Sequence, residues 1–198
     1  MTPELFFALL AFAFVTSVTP GPNNVMLLAS GVNFGFRRTV PHMAGIALGH
    51  AFMVFLVGVG LMGLFIGYPP AQIALKLVST VYMLFLAWKI ANAAPPEGAR
   101  SEGRPLTFLQ AAAFQWVNPK AWIISLGAVS IYAPGQEWAA VGWVALGFLS
   151  VGWVTTVIWT TLGLGVRRLL QSPRMLRAFN YTMAVLLVVS LYPVVFGN

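Results

Sequence analysis

Long apolar stretches joined by short polar connections constrain the fold of this chain more than any other feature. About 20 apolar residues cross the roughly 30 Å hydrocarbon core of a bilayer. Only 8% of the 198 residues are charged, against roughly 25% in soluble domains. We therefore predict an all-α integral membrane protein with six transmembrane helices in one domain, 1–198. The six stretches are Leu5–Ser30, Val40–Ile66, Ala71–Ala91, Phe108–Tyr132, Trp138–Val166 and Leu176–Val195.

The first and fourth stretches each contain proline near their middle. The sequence there reads TPGPNN over Thr19–Asn24 and WVNPK over Trp116–Lys120. Proline removes a backbone donor and clashes with the carbonyl four residues back, so helices 1 and 4 are predicted to break. In hydrocarbon, a broken helix persists only where its freed backbone groups face protein or a hydrated cavity. Paired breaks in corresponding positions of two halves are typical of transporter binding sites.

The polar segment 92–107 divides the chain into two halves of three stretches, 5–91 and 108–198. Because three is odd, homologous halves would enter the membrane from opposite sides. A shift of 97 residues places Pro22 on Pro119. We predict two inverted three-helix repeats joined by a linker, with coincidence in a chain rich in alanine, leucine and glycine as the alternative.

Basic residues are concentrated on one predicted side of the membrane. The connections 67–70 and 133–137 contain no lysine or arginine. The positive-inside rule therefore assigns the basic connections, including linker 92–107, to the cytoplasm and both termini to the external face. Nothing in this placement resembles a nucleic-acid-binding surface, so no nucleic-acid partner is expected despite the net charge of +7. Nine of the eleven basic residues lie on that side, namely Arg37, Arg38, Lys89, Arg100, Arg104, Arg167, Arg168, Arg174 and Arg177.

Polar side chains within a bilayer are costly, and they therefore mark functional candidates. A broken helix exposes amide donors at the start of its second half and carbonyls at the end of its first half. These groups suit the carboxylate and the ammonium of an amino acid, which we predict as the substrate. The predicted substrate-binding residues are Pro20, Gly21, Pro22, Asn23, Asn24, Gln115, Asn118, Pro119 and Lys120.

Lys120 and His50 are the candidates for coupling transport to an ion. Lys120 can hold a substrate carboxylate, exchange a proton, or lock the break by donating to free carbonyls near Pro22 and Asn118. His50 titrates in the range needed for proton coupling, yet a single membrane histidine often only bonds a neighbouring helix. His42 is expected at the cytoplasmic interface.

An enzyme is the less favoured alternative. His42 and His50, without any Asp or Cys in the chain, make a poor metal site, and the serines lack a paired acid. No metal and no cofactor are predicted. Export of another small solute or cation on the same scaffold stays open, although the lack of core carboxylates disfavours divalent metals.

The motifs TPGPNNVMLLAS, GIALGH and FQWVNPKAWIISL, with the basic connection before the sixth stretch, resemble the lysine exporter (LysE) family. Within it, the chain is most similar to the homoserine, threonine and leucine exporter (RhtB) branch. The resemblance covers essentially the whole chain. It implies a bacterial inner-membrane secondary-active exporter of amino acids that works by alternating access without ATP. By motif match, Pro20–Asn23 and Asn118–Lys120 are the site positions.

The chain departs from this family in its second stretch. Members often have an acidic residue after the GxxLG motif, where this chain has His50, and all four glutamates are terminal or in connections. A carboxylate relay in the core is therefore excluded. A neutral amino acid such as homoserine, threonine or leucine is expected rather than lysine. A homodimer is compatible with six short spans, although no residue requires it.

Overall fold

The structure, a computed structural model, describes residues 1–61, 69–93, 103–170 and 172–192. These residues are helical with short connections and contain no strand, so the all-α prediction is confirmed. Most of the predicted linker (94–102) and the ends of the second and sixth stretches lie outside the described residues. The helices are α1 (Pro3–Val18), α2 (Pro22–Phe34), α3 (Phe36–Leu56), α4 (Pro69–Ala91), α5 (Phe108–Val117), α6 (Pro119–Tyr132), α7 (Trp138–Leu169) and α8 (Pro173–Val189).

Several of these helices have the length and composition of membrane spans. Three segments qualify alone: Phe36–Leu61, Ile73–Ala91 and Trp138–Leu169. α1 and α2 qualify together as a pair bent by 62°. α5, α6 and α8 contain 10, 14 and 17 residues, each shorter than the typical span of about 20 residues. The described residues thus hold three or four spans, and the inverted repeat of six stays a prediction.

Both predicted helix breaks are present. α1 ends at Val18, Thr19 is extended, and α2 begins at Pro22. α5 ends before an extended Asn118, whose side-chain oxygen accepts from the Lys120 backbone N–H at 3.2 Å and caps α6. Proline is tolerated in the first position of a helix because that N–H needs no intrahelical partner. The prolines therefore mark where a second helix starts.

α7 is the central helix of the bundle and packs against α1, α2 and α3. Glycines allow the closest approaches: a Cβ atom on Gly163 would lie 2.4 Å from the carbonyl oxygen of Leu28 in α2. α3 approaches α5 through Gly45 and Gly49 in the same way. Small residues at helix contacts are typical of membrane bundles, where lipid supplies no hydrophobic drive for association.

The first break separates two apolar clusters of buried side chains. α1 contributes Leu9 and Ala13 to one cluster, which also contains residues of α6 and the first half of α7. α2 contributes Val25 and Met26 to the other, together with residues of α4 and α8. The polar side chains of the two breaks therefore lie at the transition between two apolar regions.

Candidate functional site

The two breaks face a common cavity. The start of α2 contributes Gly21–Asn24, and the start of α6 contributes Asn118 and Lys120. The cavity has a volume of about 40 Å³, which exceeds what one water needs. The cavity therefore has room for more than one water molecule. The remaining lining residues are Thr16, Ser17, Ile46, Ala47, His50, Ala121, Ile124, Phe148, Gly152, Thr155 and Thr156.

Lys120 joins the second break to the first. Its Nζ donates to the carbonyl oxygen of Thr19 at 2.8 Å and to Thr19 Oγ1 at 2.8 Å, with the Pro20 carbonyl at 3.4 Å. The sequence left three roles open for this lysine. The structure contains the hydrogen bonds of one of them, in which Lys120 locks the break by donating to the first broken helix. Its acceptors lie in the extended segment between α1 and α2. The carbonyls of that segment have no partner within a helix, so they can accept from the lysine.

The other carbonyls at the end of α1 also have side-chain donors. Asn24 Nδ2 donates to Ser17 and Thr19, both at 2.8 Å, and Trp159 Nε1 donates to Val18 at 3.2 Å. The expectation of loose carbonyls awaiting a ligand is therefore wrong for this conformation. A buried acceptor without a partner costs about 1–3 kcal/mol, which explains why the chain provides donors for them.

Asn23 is held by a reciprocal amide pair with Gln115. Asn23 Nδ2 donates to Gln115 Oε1 at 2.8 Å, and Gln115 Nε2 donates back to Asn23 Oδ1 at 3.1 Å. Gln115 is fully buried and also donates to the Ala111 carbonyl at 2.9 Å. Gln115 does not line the cavity. It therefore acts on the cavity by holding the Asn23 side chain in position. Pro20 and Pro119 line a neighbouring hollow on the other side of Lys120.

We expect Asn23 and Gln115 to be energetically coupled. In a double-mutant cycle of Asn23→Ala and Gln115→Ala, the coupling energy should be about 1 kcal/mol, as for other interhelical hydrogen bonds in membranes. Chemical unfolding in lipid nanodiscs measures it. The Asn33–Asn180 pair, with bonds of 2.8 and 3.1 Å, is a matched control away from the cavity. Strict additivity at Asn23 and Gln115 would show that the amide pair carries no net energy.

His50 lines the cavity and contacts two neighbouring helices. Its Nε2 lies 3.3 Å from Ser125 Oγ in α6, and its ring meets Phe148 of α7 edge-on at 5.2 Å. The simple alternative, a hydrogen bond to a neighbouring helix, is therefore realised. This geometry also keeps the imidazole at the cavity wall.

The electrostatic character of the cavity is positive. Lys120 is the lining cation, and the N-terminus of α2 has no side-chain cap, so its amide groups present a partial positive charge. The acidic residues within the described ranges are Glu4 and Glu137, and neither lines the cavity. The site therefore suits a ligand with a carboxylate and no additional positive side chain.

Sequence reasoning missed the hydroxyl groups on the cavity wall. Thr155 Oγ1 donates to the Gly152 carbonyl at 3.1 Å, and Thr156 Oγ1 donates to Trp153 at 2.9 Å. Each hydroxyl oxygen keeps lone pairs that can accept from a ligand. The available signal was a pair of adjacent threonines in the middle of an otherwise apolar stretch.

A polar cavity at the junction of two broken helices, within a bundle that contains membrane-length helices, defines the class of protein: a helical membrane carrier. Its residues 14–191 match the LysE type translocator family. The chain belongs to this family, as its motifs indicated. It is thus a multi-pass membrane efflux transporter and not an enzyme.

Curated relatives match along almost the entire chain. The cysteine/O-acetylserine efflux protein of Escherichia coli (strain K12) is 31% identical over 191 residues, covering 95% of this chain and 96% of the relative. The protein of the same name from Shigella sonnei (strain Ss046) matches equally well. That of Escherichia coli O139:H28 (strain E24377A / ETEC) is 30% identical over the same coverage. No solved structure matches the chain.

Proposed function

We propose that this protein exports a small neutral amino acid with a short side chain by secondary-active alternating access. The observation that carries the proposal is the Lys120 bridge between the two breaks, at the wall of a cavity that also presents hydroxyl groups. Homoserine, threonine and leucine were the substrates expected from the motifs. The names of the relatives favour cysteine and O-acetylserine, which are also neutral and small, as the first compounds to test.

The substrate carboxylate replaces the Thr19 oxygens as the partner of Lys120 Nζ. Both are oxygen acceptors, but a carboxylate makes the stronger charge-assisted hydrogen bond. The same exchange frees the Thr19 hydroxyl, and one lone pair of the Thr19 carbonyl that Asn24 also bonds, to accept from the substrate ammonium, together with the hydroxyls of Thr155 and Thr156. Binding thereby loosens the contact between the two breaks, which is the step that lets one half of the carrier move against the other.

Selectivity for neutral side chains follows from charge. Within the described residues, the cavity lining contains Lys120 and no carboxylate. A substrate with a second ammonium or a guanidinium would face this lysine without a buried anion for compensation. Lysine and arginine are therefore poor substrates.

The proposed architecture is six spans in two inverted halves, 5–91 and 108–198, joined by the cytoplasmic linker 92–107. α1 with α2 and α5 with α6 form the two broken spans, and the cavity lies between them. The protein lies in the bacterial inner membrane with external termini and basic cytoplasmic connections. It acts without a nucleic-acid partner, and a homodimer is compatible with this architecture. His50 and Lys120 are the candidates for ion coupling, and efflux of another small solute is the alternative.

Counterflow in proteoliposomes tests this function directly. Vesicles preloaded with unlabelled cysteine, O-acetylserine, homoserine, threonine, leucine or lysine are mixed with the same labelled compound. We expect saturable exchange of at least one neutral amino acid and none of lysine. Transport of lysine, or of no amino acid at all, would contradict the proposal.

The threonine hydroxyls provide a more specific test. Thr155→Val and Thr156→Val keep the shape of the side chain but remove the oxygen that accepts from the ammonium. Combined, they should raise the KM about a hundredfold, since each hydrogen bond to a charged group contributes about 1.5–3 kcal/mol and 1.4 kcal/mol corresponds to a factor of ten. Thr182→Val in α8, whose hydroxyl donates to Ala178 outside the cavity, is the matched control. Equal KM values for the Thr155→Val/Thr156→Val variant and the Thr182→Val variant would contradict the proposed ammonium site.

A further inference from the structure

A second cavity lies near the basic end of the bundle and shares no lining residue with the break cavity. It is enclosed by the second half of α2, the start of α3, the end of α4 and the segment preceding α5. About 50 Å³ is open to the centres of water-sized spheres. Its polar lining includes Asn33, His42, Lys89 and Arg104. The transport cycle proposed above gives this cavity no role.

His42 is buried in the wall of this cavity without a polar partner. The side chain is 1% exposed, so it is enclosed by protein and does not lie open at the surface of the bundle. Within the described part of the chain, neither Nδ1 nor Nε2 has a hydrogen-bond partner. Burying a polar group without a hydrogen bond costs free energy. A polar ligand in the cavity would recover that energy.

The segment preceding α5 lines the same cavity as His42 and is fixed in place. Arg38 Nη2 donates to the Gly103 carbonyl at 2.9 Å, and the Arg38 guanidinium lies 5.5 Å from the centre of the Phe34 ring. Leu106 at the other end of the segment is buried. These contacts hold Arg104 at the cavity rim.

Among the described residues, the charged side chains that line the cavity are both basic. Lys89 and Arg104 line it, and neither Glu4 nor Glu137, the acidic residues in the described ranges, does so. The neighbouring polar side chains already have partners: Ser30 bonds Thr39 at 2.8 Å, and Asn33 pairs with Asn180. The groups left to bind a ligand are therefore two cations and an imidazole.

We infer that this cavity is a binding site for an oxyanion, the carboxylate or phosphate group of a small anion. The Lys89 ammonium, the Arg104 guanidinium and an imidazole N–H are all donors, and this donor set is typical of oxyanion recognition. A zwitterionic amino acid fits poorly because the described residues of the lining include no carboxylate that would accept from its ammonium. The anion comes either from water or from an anionic lipid, since basic pockets between membrane helices bind the phosphates of lipid headgroups and a free oxyanion presents the same acceptor oxygens.

Histidine NMR tests the site in the intact protein. The chain contains only two histidines, so ¹⁵N-histidine labelling gives two ring systems, which a His50→Gln variant assigns. In phosphatidylcholine nanodiscs, inorganic phosphate or acetate at constant ionic strength should shift the His42 resonances saturably. A free anion is then the source. A His42 shift seen only in phosphatidylglycerol nanodiscs assigns the site to a lipid phosphate and supports the same inference.

The Lys89→Gln/Arg104→Gln double variant should weaken the apparent affinity at least tenfold, as expected for the loss of charge-assisted bonds. Lys76→Gln/Arg174→Gln removes two exposed cations elsewhere and should change nothing. His42→Leu should raise the thermal unfolding temperature in the absence of anion. Adding anion to this variant should then give no further rise. The inference is overturned if phosphate, acetate and phosphatidylglycerol all leave the His42 resonances unchanged. It is also overturned if the His42 resonances of the Lys89→Gln/Arg104→Gln variant respond to these probes with the affinity of the wild type. The readout is binding, so an export failure would not affect it.

Discussion

Lys120→Met should reduce efflux of the transported amino acid about a hundredfold or more. The ammonium makes two 2.8 Å hydrogen bonds to Thr19 in the resting structure, and we propose that it holds the substrate carboxylate during transport. Each bond to a charged group contributes about 1.5–3 kcal/mol, and 1.4 kcal/mol corresponds to a factor of ten. Initial rates of counterflow in proteoliposomes, normalised to the amount of inserted protein, measure the effect.

The matched control is Lys76→Met, which removes an exposed lysine from α4 and should retain full activity. Substrate-induced stabilisation separates the two roles of Lys120. If the lysine holds the carboxylate, saturating substrate raises the unfolding temperature of the wild type but not of Lys120→Met. If it only locks the break, the variant unfolds at a lower temperature yet still responds to substrate. Normal efflux by Lys120→Met would exclude both roles.

The helix breaks could be predicted because proline acts on its own backbone and the four residues before it. The rule needs no knowledge of the tertiary fold, and both breaks are present where Pro22 and Pro119 begin a helix. The contact between Lys120 and Thr19 depends instead on two segments 101 residues apart in sequence. The sequence could name Lys120 as a polar group near a break, but it could not choose among its three roles.

The carbonyls of the first break were misjudged for the same reason. Asn24 is close in sequence to Ser17 and Thr19, yet its amide reaches back to both only because the chain folds over at Gly21. Trp159 comes from another helix altogether. A carbonyl without a partner in its own helix can accept from a side chain in another part of the fold. The local sequence does not show which side chain that is.

His42 shows the limit of reasoning from position along a span. Six residues after the start of α3, a histidine should reach the membrane surface if the helix end is exposed. The side chain is buried instead, in the wall of a cavity that Leu106 also lines. Similarly, hydropathy averages over α5 and α6 together. It does not show that α5 ends at Val117. Length alone therefore could not establish six spans.

Gly163→Ala should destabilise the protein by about 2–3 kcal/mol or unfold it. The added Cβ would lie 2.4 Å from the Leu28 carbonyl oxygen and 3.0 Å from the Cα of Gly31. Both obstacles are backbone, so α2 and α7 must move apart rather than rotate a side chain. Overpacking of this kind typically costs about 1–3 kcal/mol. Chemical unfolding in nanodiscs, monitored by tryptophan fluorescence, measures the change.

Gly165→Ala is the control, two residues further along the same helix. A Cβ there meets no atom within 4 Å, and alanine favours the helix over glycine by up to about 1 kcal/mol, so the variant should be as stable as the wild type or more so. Gly31→Ala meets the Thr160 carbonyl at 2.4 Å from the opposite helix. Because one methyl group already separates the helices, the Gly31→Ala/Gly163→Ala double variant should lose less stability than the two single losses added together. Equal stability of Gly163→Ala and Gly165→Ala would mean that α2 and α7 do not pack at this distance, and the cavity that depends on their packing would have a different shape.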